Sequence, residues 1–145
     1  MKNLKKVTRL KLESDHTDEF IILGLVSSEP DYKLSFLLNK KLRISLKNLP
    51  PVSIPGSPGV ELHFSRFSAA ENSGLTYTLF SNRAGKEFLL KKLKNVDYIL
   101  LIQDPEREIN PATLASNIRE TESVTALFNI DPDSLKDKNF RYLIH

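Results

Sequence analysis

Apolar residues recur along the chain in two patterns, and each pattern predicts a different kind of strand. They alternate with polar residues over 7–12, 60–67 and 75–80, which predicts strands with one buried face and one face in water. They are nearly continuous over 20–26 and 96–102, which predicts strands buried on both faces. We expect 7–12 to pair with 20–26, and 60–67 with 75–80, as two hairpins.

Helical spacing of apolar residues occurs at two places. Leucines over residues 34–42 predict a helix of about 11 residues, with Ser28 or Asp31 as its cap. A capping asparagine before a proline predicts a second helix from about Pro111 to about Glu122.

The remaining segments give weaker patterns. Residues 49–59 hold four of the eight prolines and two of the five glycines, which predicts an irregular loop. Residues 87–95 fit either a strand or a short basic helical stretch. We expect a strand over 123–130, a capped single turn at 131–136 and a final edge strand at 140–144.

Runs of strands with few helices between them indicate the α+β class. The predicted architecture is a two-layer fold, a mostly antiparallel sheet with two main helices packed on one face. A doubly wound parallel sheet would need a regular alternation of strands and helices, which this order lacks. The chain of 145 residues fits one domain over 1–145.

Composition narrows the possible chemistry. A chain of this length buries roughly 68–70% of the surface that it exposes when unfolded, so it needs no disulfide or metal to fold. The lack of cysteine excludes zinc ribbons, iron-sulfur clusters and thiol nucleophiles. The three histidines, His16, His63 and His145, have no zinc-ligand spacing. We therefore expect no metal and no cofactor.

The amino-terminal residues are basic, but no apolar run of about seven residues follows them, so no export signal is predicted. The longest apolar runs are far shorter than the roughly 20 residues that span a bilayer. These patterns predict a cytoplasmic protein without a membrane segment.

Several segments together resemble the IPExxxVDY family of bacterial proteins, found mainly in the Bacteroidetes. The similarity covers most of the chain, although Leu90-Lys91-Lys92 stands where the family has Ile-Pro-Glu, and Val96-Asp97-Tyr98 matches. The family has no assigned activity, so the resemblance implies a bacterial context and no mechanism. The other segments that carry it are Leu23-Gly-Leu, Asp31-Tyr-Lys-Leu-Ser-Phe-Leu-Leu-Asn, Ser81-Asn-Arg and Asn129-Ile-Asp-Pro-Asp-Ser-Leu-Lys.

Five polar positions that match the family form a possible ligand or partner site. Asp97 and Tyr98 stand inside an otherwise apolar strand, where a carboxylate must be hydrogen-bonded or exposed. A turn or capping contact would explain them, and so would one wall of a binding site. The five residues are Asp31, Tyr32, Asn39, Asp97 and Tyr98.

Positive charge is concentrated in two segments, 33–47 and 83–94, although the net charge is only +3. If both segments share one face, they could neutralise several phosphates of RNA or another anion. Aromatic residues on strands, such as Phe64, Tyr77 and Phe80, could then stack on bases. A solvated surface explains the same pattern. The possible contact residues are Lys33, Lys40, Lys41, Arg43, Lys91, Lys92 and Lys94.

No motif names a catalytic chemistry. The sequence contains no nucleophile elbow, no Walker loop and no dinucleotide fingerprint. The acidic groups at 15–19 and 104–108 could bind a hard cation, but their patterns fit exposed turn carboxylates better. These observations favour a protein that is not an enzyme and leave that question open.

The sequence therefore favours a non-catalytic protein-interaction or regulatory module. Because two helices are too few to cover both faces of a sheet, we expect it to bind a protein partner or form a homodimer through a sheet edge or face. The alternatives are an RNA- or anion-binding module with a basic surface, and a small-molecule-binding protein or enzyme.

Overall fold

An antiparallel sheet of six strands forms the centre of the fold in a computed structural model, which describes residues 20–144. Residues 20–144 contain eight strands, six in this sheet and two in a separate hairpin. They are β1 Phe20–Val26, β2 Lys47–Pro55, β3 Glu61–Ala70, β4 Thr76–Ser81, β5 Arg83–Ala84, β6 Glu87–Phe88, β7 Tyr98–Gln103 and β8 Ala126–Asn129. The six-stranded sheet has the order β2-β3-β4-β7-β1-β8, and β5 pairs with β6 in a separate hairpin.

Helices connect and flank these strands. In the described part of the chain they are α1 Asp31–Leu42, α2 Pro111–Arg119, α3 Pro132–Leu135 and a 3-10 helix Lys138–Tyr142. The predicted cap of α2 is confirmed, because the side chain of Asn110 accepts hydrogen bonds from the backbone amides of Ala112 and Thr113. The predicted caps of α1 are wrong: Pro30 occupies that position and forms no side-chain cap.

The central strand β7 lies between β4 and β1 and is buried on both faces. Tyr98, Leu100 and Ile102 point to the helices α1 and α2, and Ile99 and Leu101 point to the opposite side. The continuous apolar run at this position follows from the two clusters that cover the sheet, since neither face of the strand meets water.

Both main helices pack on the same face of the sheet. Leu34 and Leu38 of α1 and Leu114 and Ile118 of α2 join one cluster of buried side chains with the strands. This arrangement confirms the predicted α+β class, a mostly antiparallel sheet with two main helices on one face.

The opposite face of the sheet is covered as well. Leu89 and Leu90, which follow β6, are fully buried and belong to one cluster with Ile99 of β7. Leu135 of α3 and Leu143, just after the 3-10 helix, belong to the same cluster. The expectation that too few helices would leave a sheet face open is therefore wrong. Loops and single helical turns bury this second face of the sheet. Such segments have no regular spacing of apolar residues, so the sequence pattern does not predict them.

The proline-rich segment contains the edge strand β2, so the prediction of an irregular loop over 49–59 is wrong for its first part. Between Leu49 and Val52, two residues of β2 oppose one of β3, which is a β-bulge. Prolines are tolerated in β2 because an edge strand bonds to a neighbour on one side only. The bulge carbonyl of Pro50 accepts a hydrogen bond from Nε of Arg66 at 3.1 Å.

Some predicted elements differ in position or kind. The expected edge strand at 140–144 is wrong, because this segment includes the end of the 3-10 helix. The ambiguous segment 87–95 contains the two-residue strand β6 followed by turns. The strand at 7–12 lies outside the described residues, and β1 has β7 and β8 as its neighbours. The hairpin of β3 with β4 and the capped turn at α3 are confirmed.

Candidate functional site

The carboxylate of Asp97 ties together three segments of the chain just before β7. Its Oδ2 accepts a hydrogen bond from the backbone amide of Ser27 at 2.9 Å. Its Oδ1 accepts from Nε of Arg83 at 2.6 Å. Ser27 lies between β1 and α1, and Arg83 opens β5. These bonds give the predicted site residue Asp97 a structural role at the start of the strand.

The phenol of Tyr98 is buried and donates a hydrogen bond to the carbonyl oxygen of Glu29 at 2.5 Å. Burial, together with the negative charges of Asp31, Asp97 and Glu29, raises the pKa of Tyr98 to about 12. The phenol therefore remains protonated and serves as a donor that holds the loop before α1.

The other three predicted polar residues lie along α1. The side chain of Asp31 accepts from the backbone amide of Tyr32, whose ring is 67% exposed. The amide side chain of Asn39 donates to the carbonyl of Leu46 and accepts from its backbone amide at 2.7 Å. Asn39 thus fixes the turn after α1. Asp31 lies near Tyr98 at the start of the helix, and Asn39 lies two turns away, so the five residues do not line one concavity.

Asn82, which is not among the predicted site residues, makes a network of hydrogen bonds. It is fully buried, its Nδ2 donates to the carbonyls of Leu93 and Val96, and its Oδ1 accepts from the amide of Leu90 at 2.8 Å. These bonds fold residues 89–96 against the sheet. The family resemblance could have indicated Asn82, because this residue is the centre of the Ser81-Asn-Arg segment that carries part of it.

The two basic segments lie on opposite sides of the sheet. Helix α1, which carries Lys33, Lys40 and Lys41, packs through its leucines on one face. Lys91 and Lys92 lie in the segment whose leucines pack on the other face. The two segments therefore cannot form one continuous phosphate-binding surface. All seven predicted contact residues are exposed: Lys33, Lys40, Lys41, Arg43, Lys91, Lys92 and Lys94.

The strand aromatics named as possible base-stacking residues are buried. Phe64, Phe80 and Tyr77 have exposed fractions of 0%, 1% and 5%. A base cannot reach rings that already pack inside the core, so the interpretation of these residues as a stacking surface is wrong.

The outer side of α1 exposes two aromatic rings one helical turn apart. Tyr32 and Phe36 are 67% and 58% exposed, and the ammonium of Lys40 lies 5.6 Å from the centre of the Phe36 ring. Glu29 lies before this pair and forms an ion pair of 3.9 Å with Lys33. We call this region the α1 surface. It consists of Glu29, Tyr32, Lys33, Phe36, Lys40 and Arg43.

No protein-family model and no curated protein matches this chain. The resemblance to the IPExxxVDY family therefore remains a prediction. In residues 20–144, no helix is long and apolar enough to cross a membrane.

His63, the one histidine within residues 20–144, belongs to a small group of polar side chains on the exposed side of β2 and β3. Nδ1 of His63 lies 2.9 Å from Oγ of Ser53, and its Nε2 lies 3.8 Å from a carboxylate oxygen of Glu61. This order of groups resembles a hydrolytic triad, but the side chains of His63 and Glu61 are 56% and 63% exposed. Such open groups do not exclude water or fix a reacting substrate, so we assign them no catalytic role.

The acidic group at 104–108 has a structural explanation. The two carboxylate oxygens of Asp104 accept hydrogen bonds from the backbone amides of Glu108 and Ile109, at 3.0 and 2.9 Å. Asp104 thus holds its own loop closed. Among residues 20–144, no three histidine or acidic side chains come together to hold a metal ion. The other acidic group, at 15–19, lies outside the described residues.

Proposed function

We propose that this chain is a non-catalytic protein-interaction module of the cytoplasm and that it acts as a homodimer through the α1 surface. The observation that carries the proposal is the exposure of Tyr32 and Phe36, side by side on one helix. Neighbouring exposed aromatic rings on a soluble domain mark an interaction surface more often than single ones do. Burying a ring of this size contributes roughly 1.5–3 kcal/mol.

The order of charges along α1 supports a second copy as the partner. Glu29 stands before the aromatic pair, and Lys40 and Arg43 stand after it. If two copies of α1 pack antiparallel with Phe36 at the two-fold axis, Tyr32 lies opposite Lys40 of the second copy. Glu29 then lies opposite Arg43 of the second copy. Such a self-complementary surface satisfies the symmetry of a closed dimer.

The edges of the sheet support this choice of surface. Edge strand β2 contains Pro50, Pro51 and Pro55, which lack the amide hydrogen that pairing requires, and it carries a bulge. The other edge, β8, is only four residues long. Neither edge is suited to pairing with a second chain.

The oligomeric state across a range of protein concentrations, measured by sedimentation velocity, tests the proposal. We expect the wild-type chain to shift from monomer to dimer as concentration rises, and Phe36→Asp to remain monomeric because it places a charge at the centre of the contact. Val60→Asp is the matched control. Val60 is 53% exposed and lies outside the α1 surface, so this variant should dimerise like the wild type.

A charge exchange gives the second test. Glu29→Lys and Arg43→Glu should each weaken the dimer, because each brings like charges together across the contact. The variant with both changes restores opposite charges and should regain dimerisation. A wild-type chain that stays monomeric at every concentration, or a Phe36→Asp dimer as stable as wild type, would overturn the proposal. Circular dichroism confirms that each variant is folded.

A further inference from the structure

A basic concavity of about 460 Å³ lies on the side of the sheet opposite to α1. The end of β2 at Pro55 and the following Ser57 form one rim, and the 3-10 helix forms the other. Ile54 and Leu62 supply its apolar part. We propose that this concavity binds a small molecule that carries a phosphate group. This site is independent of the α1 surface and of the proposed homodimer.

The charges of the concavity favour an anion. Lys91, Lys138 and Arg141 line it, and Glu87 is the one acidic side chain among its lining residues. Within residues 20–144, none of these four side chains forms an ion pair. Three cations that lack a carboxylate partner and converge on one space create a positive potential, which a phosphate would neutralise.

Hydrogen bonds connect the two segments that supply the cations of the concavity, the segment of Lys91 and the 3-10 helix. The carboxylate of Asp137 accepts from the backbone amide of Lys92 at 3.1 Å and from that of Asn139 at 3.0 Å. The side chain of Asn139 also donates to the carbonyl of Leu89 at 2.8 Å. These bonds connect the segment that carries Lys91 to the 3-10 helix that carries Lys138. A site arranged before binding loses less free energy in ordering its side chains.

The position of Arg141 adds specificity for an oxyanion. Its guanidinium lies over the ring of Tyr142, 5.1 Å from the ring centre, and its Nη2 donates to the Tyr142 hydroxyl at 3.3 Å. A guanidinium has five N–H donors, so one such bond leaves others for a phosphate. The stacked ring limits the orientations that the guanidinium can take.

The shape of the site favours a small molecule over a nucleic acid strand. A volume of about 460 Å³ falls within the range of roughly 300–1,000 Å³ that is usual for ligand pockets. A nucleic acid would need a row of cations along an extended groove, and the second basic segment of this chain lies across the sheet.

Titration of the 145-residue chain with inorganic pyrophosphate, followed by NMR of the backbone amides, tests the proposal. We expect saturable shifts at residues 56–57, 87–91 and 138–142. The double variant Lys91→Gln/Arg141→Gln should weaken binding by at least about tenfold, because it removes two of the three cations that can form charge-assisted hydrogen bonds with the phosphate groups. Glu87→Gln should strengthen it, because it removes the one carboxylate from the lining.

Lys47→Gln is the matched control, because Lys47 is an exposed lysine at the far end of β2 from Pro55. This variant should bind pyrophosphate like the wild type. Shifts that do not saturate, or equal affinity in Lys47→Gln and the double variant, would overturn the proposal. Tighter binding of a single-stranded oligonucleotide, with shifts spread beyond the concavity, would overturn it in favour of nucleic acid. The NMR spectra also report whether each variant is folded.

Discussion

The hydroxyl of Tyr98 and the carbonyl oxygen of Glu29 lie 2.5 Å apart, and this hydrogen bond fastens the loop before α1 to the central strand of the sheet. Glu29 lies two residues after Ser27, whose amide donates to Asp97. Two adjacent residues of the chain, Asp97 and Tyr98, thus fix the start of the helix that carries the α1 surface.

Replacing Tyr98 by Phe should destabilise the protein by about 1–3 kcal/mol, because the carbonyl of Glu29 loses its buried donor. The ring remains in place, so the loss reports on the hydroxyl. Urea denaturation at neutral pH measures it. An unchanged free energy of unfolding would show that water replaces the phenol at no cost.

The same residue makes stability depend on alkaline pH. In the folded protein the pKa of Tyr98 is about 12, above its ordinary value of 10.0. The stabilisation is fully present below the unfolded pKa and is lost as pH rises from about 10 toward 12, because the unfolded chain releases its proton first. Urea denaturation over this interval should show a steeper decline for wild type than for Tyr98→Phe.

The two bonds of Asp97 should differ in their contribution to stability. Arg83→Ala breaks an ion pair whose Arg side chain is 45% exposed, and such pairs contribute about 0.2–1 kcal/mol. It also removes the hydrogen bond from Nη2 of Arg83 to the carbonyl of Lys94 and the contact of the guanidinium with the Phe88 ring. Asp97→Ala also leaves the amide of Ser27 unpaired and should cost more than Arg83→Ala. Urea denaturation of both single variants and of the double variant gives the coupling energy between Asp97 and Arg83. The rest of the loss in Asp97→Ala then includes the hydrogen bond from Ser27. Equal losses would contradict the importance of the Ser27 bond.

Asn82→Ala should be among the most damaging single changes in the described chain. It leaves the buried amide of Leu90 and the buried carbonyl of Val96 without a partner, and the carbonyl of Leu93 keeps only its bond from the amide of Val96 at 3.3 Å. Each unsatisfied group costs about 1–3 kcal/mol. Thermal unfolding should show a large loss, and exchange protection of the Leu90 amide should fall. Ser81→Ala is the control, because Ser81 is only half-buried and its hydroxyl bonds to its own turn at Arg83. A similar loss in both variants would contradict this role.

Gly24 is required by close packing, which Gly24→Ala tests. A Cβ atom on Gly24 would lie 2.9 Å from Cγ2 of Val96 and 3.2 Å from Cδ1 of Ile130. Overpacking of this kind costs about 1–3 kcal/mol. In a Val96→Ala background, most of the clash disappears, so adding Gly24→Ala should cost less there. Equal costs in the two backgrounds, measured by urea denaturation, would locate the strain elsewhere.

The sequence predicted the elements whose pattern is local. The apolar runs at β1 and β7, the hairpin of β3 with β4 and the asparagine cap of α2 each depend on neighbouring residues, and all are confirmed. β2 was missed because prolines in a run normally predict a loop, and only the pairing with β3 makes them acceptable in a strand.

The candidate site was predicted in part. Of the predicted residues, Lys91 lines the basic concavity, and four belong to the α1 surface: Tyr32, Lys33, Lys40 and Arg43. Phe36 was missed because an aromatic residue in a leucine-rich helix normally packs inward, and its exposure depends on which face α1 turns to the sheet. Arg141 was missed because its segment was predicted to be a strand.

The sequence by itself determined the class of the fold, since the spacing of apolar residues sets which side of each strand and helix can be buried. Only the tertiary structure decided where the charges lie. Residues 33–47 and 83–94 have similar basic composition, but the leucines of each pack on different faces of the sheet. Because this packing joins residues far apart in the chain, no local pattern could reveal that the two basic segments are separated.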